Sequence, residues 1–293
     1  VSISRAWQAV LRLLPLLALP AHAIVVVFGA RLAATNPAMD WPERLAWTAA
    51  AGMCGGLHAM LAAHELIHRR TRWERFAGGL LLAAVAYGGF KIEHVRGHHV
   101  DVATPADASS APRGRSLYRF VPAAVVRNTR RAFQLEAERL RASGRSAWSP
   151  RNELLGWSAV TLGLAALVTG LYGPVALLFF AGQAGVSIWT LETANYIEHY
   201  GLRRRQGPDG RYERVGPAHS WDATYIPSAC LIFNLPKHAH HHLRASVPYY
   251  QLEPMEGAPR LPGGYSAMLL LAHLPPLWRR VIDPRIPAGQ PAG

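Results

Sequence analysis

The sequence predicts an all-α integral membrane protein: about four transmembrane helices plus an interfacial helix, with a cytosolic helical cap that carries a histidine cluster, in a single domain over residues 1–293. Three observations predict it. Half of the 293 residues are hydrophobic, and they gather into runs. The formal net charge of +13 is concentrated in a few links between those runs. Most of the fourteen histidines fall in four groups, each where an apolar run gives way to a basic or polar stretch.

The spans follow in order. Residues 6–30 (AWQAVLRLLPLLALPAHAIVVVFGA) are broken only by Arg12 and His22, residues 45–63 carry no formal charge, and residues 154–191 are uncharged throughout. A bilayer core takes roughly 20 apolar residues in helix, so the expected spans are about 8–30, 44–63, 154–170 and 174–191. The first run lacks a small-residue cleavage site and exceeds the ~7–15 apolar residues of a signal peptide, so it reads as a retained anchor. Residues 77–90 (AGGLLLAAVAYGGF) are too few to cross and read as an interfacial or re-entrant helix. The small residues of AAAGMCGG at 50–56 could leave room for an alkyl chain, but helix packing in membranes uses the same residues and is the preferred reading.

Charge orients the spans. The link 31–44 balances Arg31 and Arg44 against Asp40 and Glu43, and GLYGP at 170–174 is uncharged, whereas 91–152 holds Lys91 and eleven arginines. Lys and Arg accumulate on the cytoplasmic side. That places both chain ends, residues 64–153 and residues 192–293 in the cytosol, as in a multi-pass protein of a bacterial inner membrane. The basic excess is thereby explained without nucleic acid; it faces membrane lipid or an acidic partner. Cys54 and Cys230 sit in unrelated apolar contexts, which excludes a disulfide framework and a cysteine metal site.

The chemistry therefore rests on histidine. AAHELIHRR ends the second span with His64 and His68 four residues apart, on one helical face. EHVRGHH supplies His94, His98 and His99, NYIEHYGL ends the fourth span with His199, and KHAHHH adds His238, His241 and His242, with His240 as an extra. Neutral imidazoles crowded together make poor core material, and imidazolium ions repel, so a shared metal relieves both difficulties. Nine imidazoles exceed the roughly three protein ligands of a catalytic zinc. Two ions with open positions suit redox iron better, although imidazole also serves zinc, copper and nickel. His22, His58, His219 and His273 stand apart as structural residues or as supports of the ligands.

These segments resemble the membrane alkane 1-monooxygenase (alkane hydroxylase) family, within the histidine-rich membrane desaturases and hydroxylases. The matching stretches are HELIH at 64–68, EHVRGHHVDVATPADASS at 93–110, NYIEHYGL at 195–202 with HSW behind it, HAHHH at 238–242 and LPPLWRRVIDPR at 274–285. NYIEHYGL is the specific element. The resemblance implies a non-haem diiron centre of two iron ions, hydroxylation of the terminal carbon of an alkane or alkyl chain by O2, and electrons from a rubredoxin-type carrier with its reductase. Residue by residue, the ligands it implies are His64, His68, His94, His98, His99, His199, His238, His241 and His242. Glu65, Glu93 and Glu198 adjoin ligands and are expected to orient them, since a ligating histidine usually passes its other N–H to a carboxylate or carbonyl.

Three departures accompany the resemblance. The first histidine box comes early, so part of the expected substrate-facing wall is missing or replaced. The last box reads LPKHAHHH where LQRHSDHH is usual, and Asp222 follows HSW where asparagine is usual. On the same scaffold an aryl-methyl hydroxylase or a lipid desaturase is the alternative, distinguished by product. A metal transporter fits less well, because the spans lack the intramembrane carboxylates that line an ion path. The chain has no CxxC pair, flavin motif or haem-attachment sequence, so it must receive electrons from a cytosolic carrier. The arginines at Arg127, Arg130 and Arg131, and next Arg203–Arg205, are the expected dock.

Overall fold

The structure is a computed structural model that describes residues 4–225, 229 and 232–290, so Cys230 lies outside the described residues. Among these, the helices in chain order are α1 (Arg5–Thr35), α2 (Trp41–Ile67), α3 (Arg72–Ala84), α4 (Phe90–Glu93), α5 (Leu117–Arg141), α6 (Glu153–Tyr172), α7 (Pro174–His199), α8 (His238–Leu243), α9 (Tyr265–Ala272) and α10 (Pro275–Ile282). Two isolated β-bridges occur and no strand does. The chain forms two compact units, Val1–Glu93 with Ala132–Leu191, and His94–Arg131 with Glu192–Gly293.

The first unit is built on four helices long and apolar enough to cross a membrane, α1, α2, α6 and α7, the last of which ends in the second unit. Each expected span lies inside one of them. The helices run further because polar residues begin and end them. Asp40 and Glu43 form a reciprocal capping box that starts α2 with Pro42 in its first turn. Asn152 accepts from the N–H groups of Leu154 and Leu155 and starts α6. Gly173, at φ 85°, ends α6, and Pro174 opens α7. Residues 192–199, expected at the head of a cytosolic segment, are instead the last two turns of α7.

The helices are faced for lipid. Only 11% of the most apolar window of α6 is buried, and Leu162 on that helix is 69% exposed. Such faces need a solvent other than water, and the protein is an integral membrane protein. Inward contacts use small residues, as the sequence favoured. A Cβ placed on Gly52 would meet Val186 Cβ at 2.5 Å, one on Gly56 would meet Thr190 Cβ at 2.6 Å, and one on Gly55 would strike Ser187 Oγ. The stretch 50–56 is thus a packing surface for α7. Beside it, α3 leaves Gly79 against the indole of Trp157. The short helix expected over 77–90 is observed at 72–84, starting seven residues from the C-terminal end of α2 and held through Glu74. That carboxylate is fully buried and accepts from Arg12 Nε and Nη2 at 2.9 and 2.8 Å.

The second unit has little regular helix of its own and is held by aromatics and backbone cross-links. Tyr196 and Tyr200 on and after α7 pack on Trp278 of α10, with ring centroids 5.3 and 5.5 Å apart. Trp221 is fully buried; its indole N–H donates to Tyr200 O at 2.9 Å and its backbone N–H to Glu198 O at 2.8 Å. Asp222 then fixes α8, because Oδ1 accepts from Ala239 N at 2.9 Å and Oδ2 from Met255 N at 3.2 Å. Every buried donor at the start of a short helix needs such an acceptor, and this is what Asp222 supplies where an asparagine was the expected residue.

Candidate metal centre

The histidines of the second unit are presented by local geometry that differs from regular helix. After α4 the chain makes a π-helical turn, His94–His98, before His99–Asp101 resumes α-helix. Widening the turn lets residues five apart share a face, and Nε2 of His94 and Nε2 of His99 lie 3.1 Å apart. On α8, His238 and His242 are one turn apart and their Nε2 atoms are separated by 3.0 Å. His199 is the last residue of α7.

Four side chains converge completely. Nε2 of His98 is 3.2 Å from Nε2 of His242, and Nε2 of His199 is 3.1 Å from Nε2 of His238. The coordinating atoms of His98, His199, His238 and His242 lie within 4.8 Å of one another, and all four residues are buried. Nitrogens at roughly 2.0–2.1 Å from a single ion are about 2.9–3.4 Å from their neighbours, whether the ion is octahedral or tetrahedral. The observed separations fall in that interval.

The tautomers supply a test of fit that is independent of distance. Nδ1 of His199 is 3.1 Å from the carbonyl oxygen of His219, which can only accept, so Nδ1 carries the proton. Nδ1 of His98 is 3.0 Å from Asp107 Oδ2. Burial opposes ionisation of Asp107, but the charge and hydrogen bond of His98 overcome it and hold the carboxyl at about 2. A neutral imidazole has one N–H. The Nε2 atoms of His98 and His199 are therefore bare lone pairs aimed into the quartet. His242 is likewise kept neutral by burial first and then by the charges of its neighbours. Lone pairs pressed together at this range repel unless a cation sits between them, so the donor set fits a metal ion.

Around the quartet the supports are themselves fixed. Asp107 accepts from Ser110 Oγ at 2.5 Å and from Ser109 N at 3.0 Å. His219, set aside in the sequence as a support, is held through its ring, where Nδ1 accepts from Gly216 N at 2.9 Å. Asp107 carries no signal that separates it from other loop aspartates; only its place within VATPADASS marks it. Of the three expected supporting glutamates, Glu65 pairs with Arg69 at 2.6 Å and Glu93 is buried. Glu198 accepts from Tyr265 OH at 3.1 Å through Oε1, and its Oε2 lies 3.3 Å from Nε2 of His238, on the metal-facing side of that ring.

The remaining expected ligands are placed as follows. Nε2 of His241 is 3.0 Å from Nε2 of His99, so His94, His99 and His241 form a second convergence in the same unit. In the first unit, His64 and His68 stand one turn apart at the end of α2, ring centroids 5.1 Å apart. His240 points elsewhere: its Nδ1 accepts from Glu253 N at 2.9 Å.

Residues 39–269 match the model of the fatty acid desaturase family. Among curated proteins the chain is similar to alkane 1-monooxygenase 1 of Pseudomonas aeruginosa, 44% identical over 94% of this chain and 72% of that protein. It is 39% identical to the alkane 1-monooxygenase of Ectopseudomonas oleovorans, over 94% of this chain and 68% of that one. A more distant likeness, 34% identity over 78% of this chain and 60% of the relative, is to the hydroxylase component of a Pseudomonas putida xylene/toluene monooxygenase.

Proposed function

Because the chain belongs to the fatty acid desaturase family and, within it, to the alkane 1-monooxygenases, we propose that it hydroxylates the terminal carbon of an alkane or alkyl chain with O2. In this reading nine histidines, His64, His68, His94, His98, His99, His199, His238, His241 and His242, hold two irons, one of them at the quartet. Electrons come from a rubredoxin-type carrier, and the site faces the cytoplasm of a bacterial inner membrane. The observation that carries it is the quartet itself: four buried imidazoles whose Nε2 lone pairs have no proton to share.

Iron supplies the O2 activation and C–H cleavage that side-chain acids and bases cannot. The chain's own residues do the rest. Asp107 and the carbonyl of His219 hold His98 and His199 in the tautomer that exposes Nε2, which keeps both rings basic and oriented. Asp222 fixes the start of α8 and thereby the pitch of His238, His241 and His242. Tyr265 remains a phenol, since burial and then the neighbouring Glu198 raise it well above its ordinary value, and it donates to Glu198.

Anaerobic purification, metal analysis and product identification from a mixture of alkanes, alkyl aromatics and fatty acyl esters test the reading. About two irons per chain and a primary alcohol are expected. One stoichiometric zinc, or an alkene without inserted oxygen, overturns it. The likeness to the xylene/toluene enzyme component favours one second reading, hydroxylation of an aryl methyl group, which the same mixture reports as a benzylic alcohol.

A further inference from the structure

Away from the histidines, the second unit has a groove of about 630 Å³ whose lining includes four guanidinium groups, those of Arg113, Arg115, Arg119 and Arg279. One carboxylate answers them. Asp283 accepts from Arg113 Nε at 3.2 Å and from Tyr200 OH at 2.9 Å. Among the described residues no carboxylate pairs with Arg115, Arg119 or Arg279. Like charges crowded on one concave surface repel, and forked guanidinium donors best match an anion with several oxygens, of which phosphate is the common case.

The rim of the groove narrows the choice. Leu270, Leu274 and Leu277 are 73, 54 and 45% exposed, and Tyr118 is 52% exposed. They lie on or beside the elements that carry the arginines. Tyr118 precedes Arg119 and donates to His273 O at 3.0 Å, which ties the start of α5 to the turn between α9 and α10. Leu277 and Arg279 share α10, whose other face buries Trp278 and Ile282. A soluble phosphate would use the arginines and leave the leucines in water, and so would an acidic protein surface. An amphiphile uses both. We propose that this groove binds the phosphate headgroup of an anionic membrane phospholipid, with Leu270, Leu274 and Leu277 among its acyl chains.

The test uses the full chain in nanodiscs of equal phosphatidylcholine and phosphatidylglycerol, re-extracted into detergent, with retained lipid counted by mass spectrometry. Wild type is expected to retain phosphatidylglycerol in preference. The triple variant R115Q/R119Q/R279Q should lose that preference by about tenfold or more, given the contribution of each basic residue near an anionic surface, with metal content and melting temperature unchanged. R119Q alone, a single exposed change, should lower it severalfold and keeps the test open if the triple variant does not fold. L274S/L277S should lower lipid retention without changing the binding of inorganic phosphate. Equal retention by wild type and R119Q overturns the proposal. So does full retention in L274S/L277S together with displacement of lipid by inorganic phosphate, which would make this a site for the free anion. Unchanged lipid retention in the arginine variants with a raised KM for an acidic carrier would make it a protein dock and overturn the proposal as well.

Discussion

Asp107 Oδ2 receives the Nδ1 proton of His98 at 3.0 Å while both side chains are wholly buried. That contact decides which nitrogen of His98 faces the quartet. D107N keeps the shape but removes the charge, and loss of a partner of this kind typically lowers metal affinity by roughly 10–100-fold. Metal retained per chain after a fixed chelator challenge should fall accordingly, with D107A worse than D107N. Full retention in D107A would show that His98 is oriented by packing alone.

His240 and His241 are adjacent in sequence and opposite in role. Nε2 of His241 meets Nε2 of His99, whereas His240 is occupied by the backbone N–H of Glu253. H241A is expected to abolish turnover and release metal. H240A should keep both, losing about 1 kcal/mol of stability for the single hydrogen bond. Parallel metal analysis and activity on the two variants separate them.

The carrier experiment changes in light of the structure. Arg127 donates to Pro105 O at 2.9 Å and to Ala106 O at 3.3 Å, so reversing it disturbs the loop that holds Asp107. Arg131 lies 3.6 Å from Asp101. R130E is the cleaner probe of steering: it should raise the apparent KM for an acidic carrier and flatten its salt dependence, with metal content constant. R127E should additionally lose metal.

Glycines that look alike in sequence should behave differently. Gly52 and Gly56 face Val186 and Thr190 at 2.5 and 2.6 Å from a built Cβ, while nothing lies within 4 Å of one at Gly163. G52V and G56V should each destabilise by about 1–3 kcal/mol or more through overpacking. G163A should be neutral or slightly stabilising. Thermal unfolding in detergent measures the contrast.

Glu74 gives a pH test. The hydrogen bonds from Arg12 come first among the causes that lower its pKa; burial opposes them and Thr71 adds to them. A carboxyl depressed in the folded state stabilises above its unfolded value, about 4.3, and that contribution disappears as pH falls through the folded value. The stability difference between wild type and E74Q should therefore be greatest near neutrality and shrink below about pH 4. A difference independent of pH would assign the effect of E74Q to packing.

The spans and the histidine boxes were legible because both are local: an uncharged run of bilayer length and an HxxxH spacing need no tertiary partner to be recognised. The supports were not. Asp107 serves His98 from nine residues away, and the group that serves His199 is a backbone carbonyl, which every residue has. Glu65, adjacent to a ligand, has its visible partner in Arg69 one turn on. Adjacency in sequence is a weak guide on a helix, where neighbours point about 100° apart. The end of α7 was also hidden, because Glu192, Asn195 and Glu198 look like surface residues until their partners are seen. Glu192 accepts from Asn128 and from Asn195, each at 3.2 Å.

The π-helical turn at His94–His98 constrains how this gene can change length. Such a turn stores one residue more than a regular helix would hold. Deleting any one of the five would let the ladder regularise and rotate all that follows by about 100°, carrying His98 and His99 off the face that His94 occupies. An insertion would do the same in the other sense. Indels should therefore be purged between 90 and 101, even conservative ones that preserve every histidine, while the exposed turn at 207–211 tolerates them. Library members recovered by selection for growth on an alkane should show that asymmetry directly.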